Sequence, residues 1–140
     1  KRVFLMGPPG SFRQENAAYI ADQFGWKCIT TGELLRKEVQ KKSETGKKVQ
    51  EAFQAFNMEV IFEPLFLFLV SDDIVTELVE KEIKECEAAN KSWIIQGFPR
   101  TKVQALSLQK IGIIPDKFVL LKVKNSASLA RIKNNLIGIN

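Results

Sequence analysis

The sequence predicts an α/β fold in which helices cover both faces of a parallel sheet. Short apolar runs, such as residues 3–6 and 93–95, alternate along the chain with longer segments of helical periodicity. Runs that are apolar at every position, rather than at every second one, are typical of parallel strands buried on both faces. The chain has 140 residues, of which 45% are hydrophobic and 26% charged, as expected for one globular domain.

Strands and helices are predicted in alternation from the first residues onward. The predicted strands are 3–6, 27–30, 92–96 and 118–123, and the predicted helices are 14–23, 32–39, 47–56, 72–89, 103–110 and 127–136. Thr31 is the predicted N-cap of the second helix, because a hydroxyl there can accept a hydrogen bond from the first turn. The helix at 72–89 has one apolar face and one charged face, which indicates packing against the sheet.

The segment between the first strand and the first helix resembles a phosphate-binding loop with replaced residues. The pattern G-x-x-x-x-G-K-[S/T] places backbone N–H groups and a lysine around phosphate, between a strand and a helix. Phe12 stands where glycine lets the backbone approach phosphate, and Arg13 replaces the lysine. The loop residues that fit the pattern are Gly7, Gly10 and Ser11.

These replacements are expected to impair phosphate binding. Phe12 adds bulk at the closest approach, and a positive φ at this position would also strain it. Arg13 keeps the positive charge but not the compact ammonium of lysine. Gln14 and Glu15 supply no metal-binding hydroxyl. The helix dipole would stabilise the Glu15 carboxylate at the helix N-terminus, where it is expected to repel phosphate and partly fill the anion site itself.

Four motifs in sequence order resemble those of the adenylate kinase family of nucleoside monophosphate kinases. They are GPPGS at 7–11, TTGELLR at 30–36, VSDDIV at 70–75, and QGFPRT at 96–101 followed by Gln104 and Ala105. The last motif is close to specific for that family. The resemblance implies a P-loop NTPase-like three-layer α/β/α core over residues 1–140, with AMP-binding-type helices at about 31–89. The family's lid is not in this chain, which looks cut from a longer protein.

By this resemblance the monophosphate pocket is complete. Two guanidinium groups can neutralise one phosphate with directed, charge-assisted hydrogen bonds. The resemblance assigns the base or ribose to Thr31 and Gly32, the α-phosphate to Arg36 and Arg100, a tight turn near the ligand to Gly97, and the adenine edge to Gln104. Taken alone, each arginine fits a surface ion pair equally well, such as one between Arg36 and Glu33 or Glu38.

By the same resemblance the ATP side is incomplete. Gln96 stands where the family has the aspartate that organises magnesium, and a neutral amide cannot supply that charge. Arg131 matches the first arginine of an R-x-x-x-R helix, but Asn135 replaces the second, which contacts ATP phosphates in the family. We therefore expect no cofactor, with Mg²⁺ and ATP required only if the domain is active. The chain has no histidine, and Cys28 and Cys86 lie far apart in sequence, so no metal site is predicted.

One apolar segment, at about 58–69, does not fit the alternation of strands and helices. It is too short and too interrupted to span a membrane. Two interpretations stay open: a docking surface for a protein partner, or an insertion that packs on the domain's own surface. The net charge of +5 is spread over the helices without interleaved aromatic residues, so no nucleic-acid binding is predicted.

The sequence predicts a catalytically inactive structural or interaction module in a larger assembly, with nucleoside monophosphate binding retained as an option. One alternative is an active adenylate kinase that transfers phosphate from ATP to AMP. Another is a sensor that binds an AMP-type ligand without catalysis. Degenerate members of this family occur in cilia and flagella, so the expected location is cytoplasmic, with an axonemal setting by analogy only.

Overall fold

The computed structural model describes residues 1–8, 10–55 and 70–137, so the predicted apolar segment at 58–69 lies outside the described residues. The elements in chain order are β1 (Arg2–Met6), α1 (Arg13–Phe24), β2 (Lys27–Thr30), α2 (Thr31–Lys41), α3 (Glu44–Ala55), α4 (Asp72–Ala88), β3 (Trp93–Gln96), α5 (Lys102–Lys110), β4 (Lys117–Leu120) and α6 (Asn125–Ile137). None of the helices described is long and apolar enough to cross a membrane.

The four strands form one parallel sheet in the order β2-β3-β1-β4. In the register of this sheet, Gln96 at the end of β3 is aligned with Leu5 of β1 and with Thr30 of β2. The carboxyl ends of these strands therefore lie at one edge of the sheet. The predicted parallel α/β fold is confirmed.

Both faces of the sheet are buried at β1 and β3, whereas Phe118 and Leu120 of the edge strand β4 are more than half exposed. Consecutive strand residues point to opposite faces, and each face has its own apolar cluster. On one face, Val3, Leu5 and Ile94 pack with Ala17 and Ala21 of α1. The other face, which α2, α4 and α5 cover, includes Phe4, Trp93 and Ile95 packed with Leu35, Val79 and Leu108. The three-layer arrangement explains why the strands are apolar at nearly every position.

Several predicted boundaries were wrong, and α3, for example, begins at Glu44 rather than at residue 47. β4 ends at Leu120 rather than at residue 123, because its partner β1 ends at Met6 and the last backbone bond joins Leu121 N–H to Met6 O at 2.8 Å. The N-cap of α2 is Thr30, not Thr31: its Oγ1 accepts a hydrogen bond from Glu33 N at 3.3 Å. Thr30 has the extended backbone of an N-cap, with φ of −126°, while Thr31 is already helical.

Candidate nucleotide-binding site

The predicted site residues follow the carboxyl ends of three adjacent strands. Gly7 follows β1, Thr31 follows β2 and Gly97 follows β3. Gln96 is buried at the end of β3, between the other two strands. In open parallel α/β sheets, ligands bind in the crevice beyond this edge. The topology therefore brings the phosphate-type loop and the QGFPRT segment to the same edge of the sheet.

The phosphate-type loop holds a phenylalanine in the left-handed region. Phe12 has φ of 54° and ψ of 42°, and it is the N-cap of α1 without a side-chain capping bond. A non-glycine residue in this conformation costs about 1–2 kcal/mol. The positive φ that would make this position unfavourable is therefore present. The Phe12 ring is 48% exposed, so little burial offsets the strain.

Two arginines donate hydrogen bonds to carbonyl oxygens of the loop itself. Arg13 Nη1 donates to Gly7 O at 3.0 Å, and Arg131 Nη1 donates to Gly10 O at 2.8 Å. The Arg131 guanidinium also lies over the Phe12 ring, with its carbon 4.2 Å from the ring centroid. Such a contact is a cation–π interaction. Both cations that the sequence placed near phosphate thus bind oxygen acceptors within the protein.

The Ser11 hydroxyl is buried beneath this loop. Among the residues that the structure describes, its Oγ is the buried side-chain polar atom that lacks a hydrogen-bond partner. It lies so close to Gly7 that a Cβ added to Gly7 would be 2.5 Å from it. A buried hydroxyl without a hydrogen-bond partner, such as that of Ser11, costs about 1–3 kcal/mol.

Glu15 and Gln14 are both exposed on the first turn of α1. This is contrary to the expectation that Glu15 partly fills the anion site.

On the monophosphate side, Arg100 is held by two hydrogen bonds. Its Nε donates to Gly97 O at 2.8 Å, and its backbone N–H donates to Gln104 Oε1 at 2.8 Å. Gly97 has φ of 75°, a conformation that glycine adopts without strain. The predicted tight turn at Gly97 is therefore present, and it is followed by a cis peptide bond between Phe98 and Pro99.

A polar network around the buried side chain of Gln104 joins α4 to α5 beside this turn. Gln104, which is 4% exposed, donates from Nε2 to Asp72 Oδ1 at 2.9 Å. Thr101 Oγ1 donates to Asp72 Oδ2 at 3.1 Å, and it accepts a bond from Gln104 N at 3.2 Å as the N-cap of α5. A cavity of about 110 Å³ is lined by Val70, Asp72, Gly97, Phe98, Arg100, Thr101 and Gln104.

The start of α2 supplies the other predicted monophosphate residues. Thr31 and Gly32 are buried there, and Arg36 is half-buried one turn later. Glu33 forms an ion pair with Lys37, and Glu38 forms one with Lys41, each at 3.6 Å. The ion pair of Arg36 with Glu33 or Glu38 stays a prediction. The roles of Thr31, Gly32 and Arg36 in ligand binding stay predictions.

Comparison with known proteins decides the family. The adenylate kinase family model matches residues 5–137, which is nearly the whole chain. The chain belongs to the adenylate kinase family.

Similar members of this family come from bacteria, plants and trypanosomes. An adenylate kinase of Baumannia cicadellinicola is 32% identical over 97% of this chain and 58% of its own length. A probable chloroplastic adenylate kinase 2 of Oryza sativa is 30% identical over 94% of this chain and 41% of its own length. An adenylate kinase of Trypanosoma brucei rhodesiense is 26% identical over 95% of this chain and 58% of its own length. The chain thus spans about half the length of these relatives.

The magnesium of adenylate kinase chemistry does not fit the residues present. Mg²⁺ takes oxygen ligands in octahedral geometry and is usually bound by one or two carboxylates together with substrate phosphates. At the end of β3 the donor is the neutral amide of Gln96, which is 7% exposed. Within the described ranges no group of three or more Asp, Glu, Cys or His side chains could hold a metal. No step through Mg²⁺ can be derived from this donor set.

The two cysteines do not contribute to this site. Both are free thiols, with Cys86 buried and Cys28 half-buried. Burial raises the pKa of both thiols, and the neighbouring carboxylate of Glu33 raises the pKa of Cys28 further. Raised pKa values keep the thiols protonated at neutral pH, so neither is an activated nucleophile.

Two features of the site were missed in the sequence. Asp72 was assigned to the start of a helix and to the VSDDIV motif, but its contacts with Thr101 and Gln104 were not predicted. The contact between Arg131 and Phe12 has no local signal, because it joins residues at opposite ends of the chain.

Proposed function

We propose that this adenylate kinase family domain does not transfer phosphate from ATP, and that it serves as a binding or interaction module with a retained nucleoside monophosphate pocket. One observation carries the proposal: Arg13 and Arg131 donate Nη hydrogen bonds to the carbonyl oxygens of Gly7 and Gly10. These are the fork nitrogens with which arginine binds phosphate oxygens. Each bond uses one of the five N–H donors of a guanidinium and turns that side of the group toward a loop carbonyl oxygen, which leaves fewer donors for an ATP phosphate.

The rest of the loop supports the same conclusion. Phosphoryl transfer depends on preorganised positive charge around the transferring group, including the metal. Phe12 occupies a glycine position in a strained conformation, and Gln96 supplies no carboxylate for magnesium. A working kinase would need Arg13 to replace a lysine and another residue to orient the metal. No contact among the described residues favours that alternative.

The monophosphate half supports ligand binding without catalysis. Its turn, its buried amide and its cavity are held by hydrogen bonds of 2.8–3.1 Å between Gly97, Arg100, Gln104 and Asp72 or Thr101. Arg100 is anchored to the Gly97 turn, because its Nε donates to Gly97 O at 2.8 Å. The cavity of about 110 Å³ is smaller than the roughly 300–1,000 Å³ usual for ligand pockets, so it suits part of a nucleotide, and its convergent polar groups make it a binding-site candidate. An interaction role in a larger assembly, and a cytoplasmic or axonemal location, stay predictions from the resemblance.

Restoring the loop tests the proposal. We expect the 140-residue chain to bind no Mg-ATP, and the variant Phe12→Gly, Arg13→Lys, Glu15→Thr, Gln96→Asp to gain Mg-ATP binding in calorimetric titration. AMP affinity is the internal control, and it should be the same in both proteins because none of the four positions lines the cavity. Magnesium-dependent ATP binding by the unaltered chain would contradict the proposal. A restored variant that binds AMP but no ATP would show that these positions do not silence the site.

A further inference from the structure

Asp72 contacts another helix instead of capping its own. It is the first residue of α4, whose N-cap Ser71 makes no side-chain capping bond. Both Asp72 carboxylate oxygens accept hydrogen bonds from α5 or its N-cap: Oδ1 from Gln104 Nε2 at 2.9 Å and Oδ2 from Thr101 Oγ1 at 3.1 Å. The carboxylate therefore holds the start of α5 beside the cavity that all three residues line.

The Gln104 side-chain amide is fixed in one orientation from both ends. Its oxygen accepts from Arg100 N–H, and its nitrogen donates to the Asp72 carboxylate. Rotating the amide by 180° would place its NH₂ against the Arg100 N–H and its oxygen against a carboxylate oxygen. Both contacts would then pair like with like, donor with donor and acceptor with acceptor. Since Gln104 is buried, water cannot compensate for those losses.

This orientation determines what the amide offers to a ligand. A glutamine side chain has two N–H donors and an oxygen with two lone pairs, and one of each is already used here. One N–H and one lone pair are left, at fixed ends of the amide. At its Watson–Crick edge adenine presents the 6-amino donor beside the N1 acceptor, and a glutamine amide can bind such a pair in a bidentate manner. At the same edge a 6-oxopurine presents the O6 acceptor beside an N1–H donor, which is the reverse order and matches only the rotated amide.

We infer that Asp72 is a positioning residue that fixes the Gln104 amide so that the pocket prefers a 6-aminopurine monophosphate to a 6-oxopurine monophosphate. This inference rests on the proposed function, since it specifies the ligand class of the same pocket. Asp72 acts through Gln104 and is not itself assigned a contact with the ligand.

The variant Asp72→Asn tests the inference because it keeps the size and shape of the side chain. It replaces one acceptor oxygen by an NH₂ group, so residue 72 no longer requires a donor from Gln104. An asparagine can turn either its oxygen or its NH₂ toward Gln104, so the rotated amide gains a partner at that end. We expect the ratio of AMP affinity to IMP affinity to fall roughly five-fold in calorimetric titration, as a buried amide loses one obligatory partner. The matched control is Asp73→Asn, which removes the same charge from the next, exposed residue and should leave the ratio unchanged.

The possible results separate the inference from the proposed function. A parent chain that prefers AMP, together with an Asp72→Asn variant of unchanged preference, would overturn the inference and leave the proposed function standing. A parent chain that binds neither AMP nor IMP would overturn both. If Asp72→Asn does not fold, proton exchange of the Gln104 amide in the parent chain decides. One Nε2 proton should be protected by the carboxylate, and rapid exchange of both protons would overturn the inference.

Discussion

The phosphate-type loop and the monophosphate pocket lie at one edge of the same sheet, yet they differ in how their polar groups are satisfied. In the pocket, half-buried Asp72 and buried Gln104 are joined by hydrogen bonds, and the Gln104 amide has a partner at each end. In the loop, Ser11 Oγ is buried without a partner and Phe12 is strained. Connected polar networks rigidify a structure, whereas partly satisfied ones cost stability. Of the two regions, the loop therefore has the less completely satisfied polar groups, and the pocket has an arrangement that its own hydrogen bonds hold.

The largest predicted effect is a loss of stability in the monophosphate half, where α3 packs against α2. Gly46 of α3 packs so closely on α2 that a Cβ would lie 2.0 Å from Glu38 O. Because backbone atoms cannot move aside, Gly46→Ala should lower the free energy of unfolding by about 3 kcal/mol. Urea unfolding followed by the fluorescence of buried Trp93 measures this change.

A glycine without neighbours provides the control for that substitution. Gly112 has φ of +82°, and no atom lies within 4 Å of its would-be Cβ. Gly112→Ala should therefore cost only about 1 kcal/mol, from backbone strain alone. Equal losses for the two variants would show that the close contact between α2 and α3 does not contribute.

A smaller effect tests the loop half. The stacking of Arg131 on Phe12 should contribute about 0.5–1 kcal/mol, because the ring is partly exposed. A double-mutant cycle with Phe12→Leu and Arg131→Met measures this coupling in urea unfolding. If the two changes are strictly additive, α6 is not held to the loop through this contact. The control is the cycle of Phe24→Leu with Arg131→Met. The ring of Phe24 stacks on Trp26, with ring centroids 5.0 Å apart, so no coupling to Arg131 is expected.

The sequence predicted the fold well because its signals are local. The apolar strands indicate the parallel sheet. The glycine-containing segments GPPGS and QGFPRT, which follow two of these strands, indicate the edge at which the site lies. The glycine pattern of the loop also showed which position would suffer from a positive φ, namely Phe12. The end of β4 was misplaced because it depends on where its partner β1 stops, which no local pattern reports.

The contacts that define the site were not predictable in the same way. The bond from Arg131 to Gly10 joins residues that are 121 positions apart, and no local pattern reports it. Asp72 and Gln104 are 32 positions apart, and their contact depends on the relative placement of α4 and α5. The sequence placed Arg13 in the phosphate-type loop in the position of the lysine. The hydrogen bond from its Nη1 to Gly7 O could not be predicted from that pattern.

Calorimetric titration of the 140-residue chain, with AMP and separately with ATP plus magnesium, tests the difference between the two halves most directly. The predicted result is binding of AMP without binding of ATP, because the pocket network is complete and the loop arginines already bind loop carbonyl oxygens. Magnesium-dependent binding of ATP to the unaltered chain would contradict the account.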